Sequence, residues 1–565
     1  MRVHRRPAAT VAGLLLVGGV IVTATPAGAT TSSRVASPAT AQPIAGTGTA
    51  TSHSVRVSGV SAGVQRPASP ASTVILGRDG KPAGAALPAV AAAGTRPAPP
   101  STPVQAGGPN GGQAAGTTTQ AARLSTVRPA AVQSAGVRSS AVPAGVSLAD
   151  PFSGVSEATS NSTSPTPYPT AAANATETAE TVNLRLQVFN KTSGATLCGQ
   201  SLASLLGAIT ALSEPRIQYD NSAKRFSLVI NSVPASSSEV PVAYLATSQT
   251  DDACGAWWVY SIIMSGTLYP SGALLNYPYL GQDSTSILSS TNNFTFGGSY
   301  IGSAAFAMPK AIAYTGGGFS FNTYSVAFST APVTVAGIPT FATTTTYWLA
   351  SVPGSGYHLY SMPTSPAGAI SLLANISAPF SAPSRRVLQP GTNQTLDPLD
   401  GRIPSAAVQD GNNIWFALTV DDGGFPTVLY GAISATSGQT TTALAFHSTA
   451  SDDFNASIGV SDAGGNTNHI WVNWAYTQAG SGVATSDTVA GVAPGQGIPE
   501  EVGADLTLVS GSSTAAISTF GAYSSVEIDP VGTSGCAAGL TALSVQEFFS
   551  GNGQWATELA RTTFC

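Results

Sequence analysis

The chain has 565 residues, of which only 9% are charged, and its net charge is −5. That length leaves room for more than one region of distinct character. An acidic balance, with no basic cluster interleaved by aromatic residues, argues against nucleic acid as a partner.

Residues 1–29 read as a signal peptide. Arg2, Arg5 and Arg6 form a basic start, Val11 to Val22 is an uncharged apolar run, and Ala27-Gly28-Ala29 supplies the small residues of a cleavage site. The apolar run is about a dozen residues, short of the roughly twenty that span a bilayer. No transmembrane anchor is expected, and the destination is extracellular, either secreted or associated with the cell wall.

Residues 30–180 are an Ala/Pro/Gly/Ser/Thr-rich arm. Between 31 and 149 it carries nine Lys or Arg against Asp79 alone, a charge of +8, and no Trp, Tyr or Phe. Such a segment buries too little apolar surface to offset its ordering entropy, so disorder is expected. It serves as a spacer, or attaches weakly to an anionic cell-wall polymer through its scattered cations. Gly59-Val60-Ser61-Ala62-Gly63 matches a nucleophile elbow, but no strand precedes it and chance explains it.

From 181 to 565 the texture changes. All seven Trp lie here, with ten Lys or Arg against 22 Asp or Glu, a charge of −12. Short β-branched and aromatic runs alternate with Gly, Asn, Asp, Ser and Pro turns, the pattern of strands. Ser201 to Leu212 is the one candidate helix. A phrase recurs: Pro or a small residue, alternating apolar positions, Asp or Asn in a turn, then a second apolar strand. It begins at Pro215, Pro278, Pro339, Pro404, Asn455 and Tyr523. Repeats of this length with room for four strands predict an all-β fold, a β-propeller of six four-stranded blades, or seven if residues 181–214 contribute one.

Four cysteines, Cys198, Cys254, Cys536 and Cys565, lie in this region. An even count in an exported chain reads as two disulfides. Three pairings are open, and Cys198–Cys254 with Cys536–Cys565 is expected because each would staple one end of the domain.

Tyr219-Asp220 with Arg225-Phe226, Thr247 to Asp252 leading into Trp257-Trp258-Val259-Tyr260, Leu399 to Arg402, Ser451 to Asn455 and Gly521 to Asp529 resemble bacterial secreted β-propellers of the sialidase-like, Asp-box-related kind. Ser248, Asp251, Gly255 and Trp257 keep the Asp-box residue types at stretched spacing. Gly401-Arg402-Ile403-Pro404 is similar to the Arg-Ile-Pro motif of sialidases, whose Arg binds a substrate carboxylate. Here it lies in mid-domain, where Pro404 already opens a repeat. The resemblance implies a propeller and leaves activity open.

No catalytic set stands out. Asp251-Asp252, Asp397 to Asp400, Asp421-Asp422 and Asp452-Asp453 sit in turn-like phrases where Asp commonly binds backbone N–H groups, with calcium as the next reading. His358, His447 and His469 show no nucleophile partner. Trp257, Trp258, Tyr277, Tyr279, Trp474, Tyr476 and Arg402 are the candidate ligand-binding residues, since flat rings with a polar edge suit sugars and protein hot spots. The preferred expectation is a non-enzymatic propeller that binds extracellular carbohydrate or protein. The alternatives are a sialidase-like glycoside hydrolase on the same fold and a cell-wall scaffold attached through the basic arm.

Overall fold

Val, Ile, Tyr and Trp favour a pleated, half-buried surface, and the runs rich in them at 226–230, 414–418 and 470–474 are extended. The computed structural model describes residues 43–56, 145–160, 166–335, 343–461, 469–493, 505–515, 520, 522–532 and 535–565. The stretch expected to be a signal peptide and most of the arm lie outside these residues, as do Pro339 and the elbow-like segment 59–63.

Seven four-stranded antiparallel sheets follow one another as blades of a β-propeller. Blade 1 runs from Thr170–Ala173 to Thr196–Ser201 and blade 2 from Ala211–Asp220 to Ala256–Met264. Blade 3 runs from Leu274–Gln282 to Phe319–Val326, blade 4 from Ala331–Val335 to Ser371–Ser377, and blade 5 from Ala407–Asp410 to Thr440–Ala445. Blade 6 runs from Asp452–Ser461 to Leu506–Val509. Blade 7 takes three strands from the C-terminal end, Ser525–Ile528, Thr541–Phe549 and Trp555–Thr563. Its outer strand is Ser147–Ser156, paired antiparallel to Trp555–Thr563. The first strands of successive blades touch in a closed circle, with Ser525–Ile528 meeting Thr170–Ala173.

The circle decides the blade number and corrects one expectation. The blades number seven, the larger of the two counts expected, because a copy of the phrase opening at Tyr168 precedes the six found in the sequence. The folded region also starts before 181. Ser147–Ser156, Thr170–Ala173 and most of Glu177–Val182 fall in the stretch expected to be disordered, and Val155, Ala171, Ala172 and Ala179 are buried. Small residues conceal these strands from composition, but a blade interface needs small side chains where neighbouring sheets approach closely. Pro43–Arg56 is also extended, lying antiparallel between the outer strands of blades 2 and 3, with Ser52 opposite Tyr260 and Thr49 opposite Ser320. Only Leu202–Leu206 of the candidate helix is helical. Ser201 caps its start, and Gly207, at φ 62°, ends it in the left-handed conformation.

The recurring phrase is the first strand of a blade and the turn into the second. The turn residue accepts hydrogen bonds from the backbone two and three residues on. Asn174, Asp220, Asp283 and Asp529 all do this. Each also reaches the following blade. Lys310 Nζ donates to Asp220 at 2.6 Å, Thr346 Oγ1 to Asp283 at 2.5 Å, and Lys191 Nζ to Asp529 at 2.5 Å. Asn174 Nδ2 donates to the Asp251 carbonyl at 2.6 Å. One turn thus ends a strand and latches two blades.

The disulfides are Cys198–Cys254, joining blades 1 and 2, and Cys536–Cys565, within blade 7. Among the described residues no helix is long and apolar enough to cross a membrane.

Candidate functional site

First strands in a propeller present one edge to the axis, and among the described residues five of the seven have no strand partner on that side. The exception is blades 4 and 5, whose first strands pair in parallel through Val333 and Ala407. The axis is therefore a channel, lined from every blade by residues that include Ala173, Arg216, Leu280, Thr334, Ser405, Gly459 and Glu527.

One end of the channel is plugged. Where the first strands begin, five blades carry a non-glycine residue in the left-handed region: Tyr168, Glu214, Tyr277, Ser329 and Asn455, with φ between 50° and 65°. In blades 2, 3 and 6 this residue sits in a register shift of the first hairpin. Such bulges re-aim side chains, and here they bring Glu214 and Tyr277 into an axial cluster with Arg216, Tyr279, Arg402 and Tyr523.

Hydrogen bonds in the plug join blades that are not neighbours. Arg216 Nη2 of blade 2 donates to the Pro404 carbonyl at the entry to blade 5, and its Nε to the Pro278 carbonyl of blade 3, both at 3.0 Å. Tyr277 Oη donates to the Ala522 carbonyl before blade 7 at 3.1 Å, and Tyr279 Oη to the Ile403 carbonyl at 2.8 Å. Arg402 is bound by both oxygens of Asp400, at 2.7 and 2.8 Å, beneath the Tyr277 ring. Glu214 accepts the Tyr277 N–H at 2.6 Å. Burial pushes its carboxyl up to about 7, with the Tyr277 N–H and the two guanidinium groups offsetting part of that rise.

The other end of the channel is reached past Asn221 and Pro530, at the turns that close the first hairpins. Between plug and opening stands Glu527 of blade 7. Solvent in the channel touches it, yet protein surrounds it, and burial pushes its carboxyl up to about 8.

Of the residues selected from sequence, the structure gathers Tyr277, Tyr279 and Arg402 in the plug. It places Trp257, Trp258, Trp474 and Tyr476 elsewhere. Trp257 is buried and donates to the Ala253 carbonyl, and Trp258 packs against Gly316 on the outer strand of blade 2. Trp474 is buried on the Asp453 carboxylate, and Tyr476 stacks on His447 at 3.8 Å. Large rings fill the spaces between sheets, and these four pack there, away from the channel.

The acidic phrases are turns and latches. Asp251 accepts the Tyr219 hydroxyl, Asp252 the Cys254 N–H, Asp397 the Leu399 N–H, Asp421 the Gly424 N–H, and Asp452 the Arg385 guanidinium. Between Ser248 and Trp257 a turn runs from Asp252 to Gly255, whose N–H donates to the Asp252 carbonyl at 3.1 Å. His447 pairs with Asp505 at 2.7 Å, while burial pushes His358 and His469 down.

Glu214, Arg216, Tyr523 and Glu527 were not selected from sequence. Their signal was present in the phrase: Tyr168-Pro169, Glu214-Pro215 and Tyr277-Pro278 align, and Glu527 stands between the apolar Val526 and Ile528 of a first strand.

No protein-family profile matches the chain, and no curated protein matches it. Among solved structures it is similar to a Synechocystis apocarotenoid oxygenase mutant, 10% identical over 60% of this chain and 74% of that one, with a TM-score of 0.34. It is similar to a Pseudomonas brassicacearum lignostilbene dioxygenase at 8% identity, over 60% and 74%, with a TM-score of 0.34. A neuraminidase-like protein of a bat influenza A virus, subtype N10, is 8% identical over 57% of this chain and 94% of that one, with a TM-score of 0.31.

Proposed function

We propose that the protein is a secreted or surface-associated binding propeller, without catalytic activity, that takes a polar group of an extracellular carbohydrate or protein into the open end of its central channel. The observation that supports this is the character of the channel wall. Unpaired strand edges offer N–H and carbonyl groups, Thr334, Ser405 and Ser525 add hydroxyls, and the far end is closed by the plug. A wall of this kind suits a polar group rich in hydroxyls, amides or amines.

The same wall weighs against a glycoside hydrolase. That chemistry needs two carboxyl groups roughly 5 to 9.5 Å apart, and Glu527 is the one carboxyl among the described residues lining the channel. Arg402, the residue of the sialidase-like motif, is already bound by Asp400.

The test is glycan-array and peptide-array binding by the full chain beside Ala406→Trp, which places a large ring at a half-buried position on the channel wall. Hits that disappear in the variant support the reading. Hits that persist, or turnover of a bound sugar, would overturn it.

A further inference from the structure

We propose that Glu527 is the recognition residue of the channel and that it receives an ammonium group, so that the ligand is an amine-bearing molecule such as an amino sugar or an amino-terminated chain. This rests on the channel-binding reading and narrows it to one ligand chemistry.

The argument begins from what Glu527 lacks. Among the described residues no hydrogen bond or ion pair to its carboxyl is found, whereas the other acids within the ring are committed. Asp220 holds Lys310, Asp529 holds Lys191, Asp400 holds Arg402, and Glu180 accepts Val155 N–H and Thr557 Oγ1. A carboxyl enclosed by protein without a partner is costly to ionise. Such a group in a concave site is a candidate for function.

The surroundings select the partner. Arg216 and Glu527 are the charged side chains among the described channel-lining residues. Arg216 is committed at the blind end to the carbonyls of Pro278 and Pro404 and to the face of Tyr523. Burial raises the Glu527 carboxyl, and among the described residues no cation is paired with it. A cation arriving from the open end would meet one acceptor, with hydroxyls and strand-edge carbonyls around it. Those carbonyls complete the shell that an ammonium with three donors requires. Arg216 repels the same cation from the deeper channel, which places the amine beside Glu527 and leaves the rest of the ligand toward the opening.

The experiment is titration calorimetry of the full chain with glucosamine and n-butylamine, beside their uncharged counterparts N-acetylglucosamine and n-butanol, in wild type and Glu527→Gln. Gln is nearly isosteric and leaves no partner unpaired, so the variant should fold, which its melting curve checks. The expected result is saturable binding of an amine, at least tenfold tighter than its neutral counterpart, with the preference lost in Glu527→Gln. Near pH 7 binding should also release a proton, seen as an enthalpy that depends on the buffer, and this release should vanish in the variant. Preference for glucosamine over n-butylamine identifies an amino sugar, and the reverse a simple amine terminus. Binding of N-acetylglucosamine with no amine preference, abolished by Ala406→Trp, would overturn the ammonium proposal and leave channel binding standing. Absence of binding by all four probes would overturn the proposal, while array hits sensitive to Ala406→Trp would still uphold the channel.

Discussion

The guanidinium carbon of Arg216 lies 3.5 Å from the centre of the Tyr523 ring. One residue belongs to the first strand of blade 2 and the other leads into blade 7, so a single cation–π contact helps to close one end of the channel. The same guanidinium holds blades 3 and 5 through backbone carbonyls. Replacing Arg216 with Ala removes two charge-assisted hydrogen bonds, each worth about 1.5–3 kcal/mol. Arg216→Ala should therefore lower stability by about 3–6 kcal/mol in urea denaturation. Arg216→Lys, which keeps the charge but not the two-armed geometry, should fall between. A loss below about 1 kcal/mol for Arg216→Ala would show that the plug does not hold the ring.

Stability should peak in mild acid. Burial raises the Glu180 carboxyl to about 7, against hydrogen bonds from Thr557 and Val155 that draw it down. Glu214 is raised to about 7 as well. A raised carboxyl stabilises the fold fully below its unfolded value, near 4.5, and the contribution is lost as pH climbs through the folded value. For Glu180 that loss is at most about 3 kcal/mol. Asp220 runs the other way. Burial raises it, but Lys310 and neighbouring N–H groups outweigh burial and hold it below its ordinary value, so its contribution is lost as pH falls through the acid range. Melting temperatures from pH 3 to 8 should thus be highest near 4.5 to 5, and Glu180→Gln should flatten the decline toward 7. A melting temperature that climbs from pH 5 to 8 would contradict this.

A chain beginning at residue 181 should not fold as the full protein does. It lacks the first strand of blade 1 and nearly all of the second, and the outer strand of blade 7, whose Val155 is buried. A chain beginning at residue 145 keeps all seven blades. The two should separate by limited proteolysis, with the longer chain resistant and the shorter one cut in blades 1 and 7. Equal resistance would show that Ser147–Ser156 is dispensable.

Reduction should weaken the protein in two steps of similar size. Loop-closure entropy assigns about 4 kcal/mol to Cys198–Cys254, separated by 56 residues, and about 3.5 kcal/mol to Cys536–Cys565, separated by 29. Paired Ser substitutions measured by thermal unfolding would apportion these, and a variant as stable as wild type would show that its disulfide constrains nothing.

Much of this architecture was readable along the chain because propeller blades are local. Each is a meander of neighbouring strands, so the phrase from Glu214 to Asp220, a bulge, a strand and an Asx turn, repeats intact in the sequence. Blade 1 escaped because Thr170–Ala173 is made of small residues, and the outer strand of blade 7 escaped because it comes from the opposite end of the chain. The aromatic candidates divided for a similar reason. Trp257 and Tyr277 look alike as residue types, but one faces a blade interface and the other the axis.

By itself the sequence determined the all-β class, the repeat, the two disulfides and the turns, since these depend on residue types a few positions apart or on cysteine arithmetic. Only the tertiary structure decided that there are seven blades, that Arg216, Tyr277, Arg402 and Tyr523 meet, and that Glu527 stands in a channel without a partner among the described residues. Those facts depend on ring closure. Closure brings together residues more than a hundred positions apart, and no local propensity records which of them will face the axis.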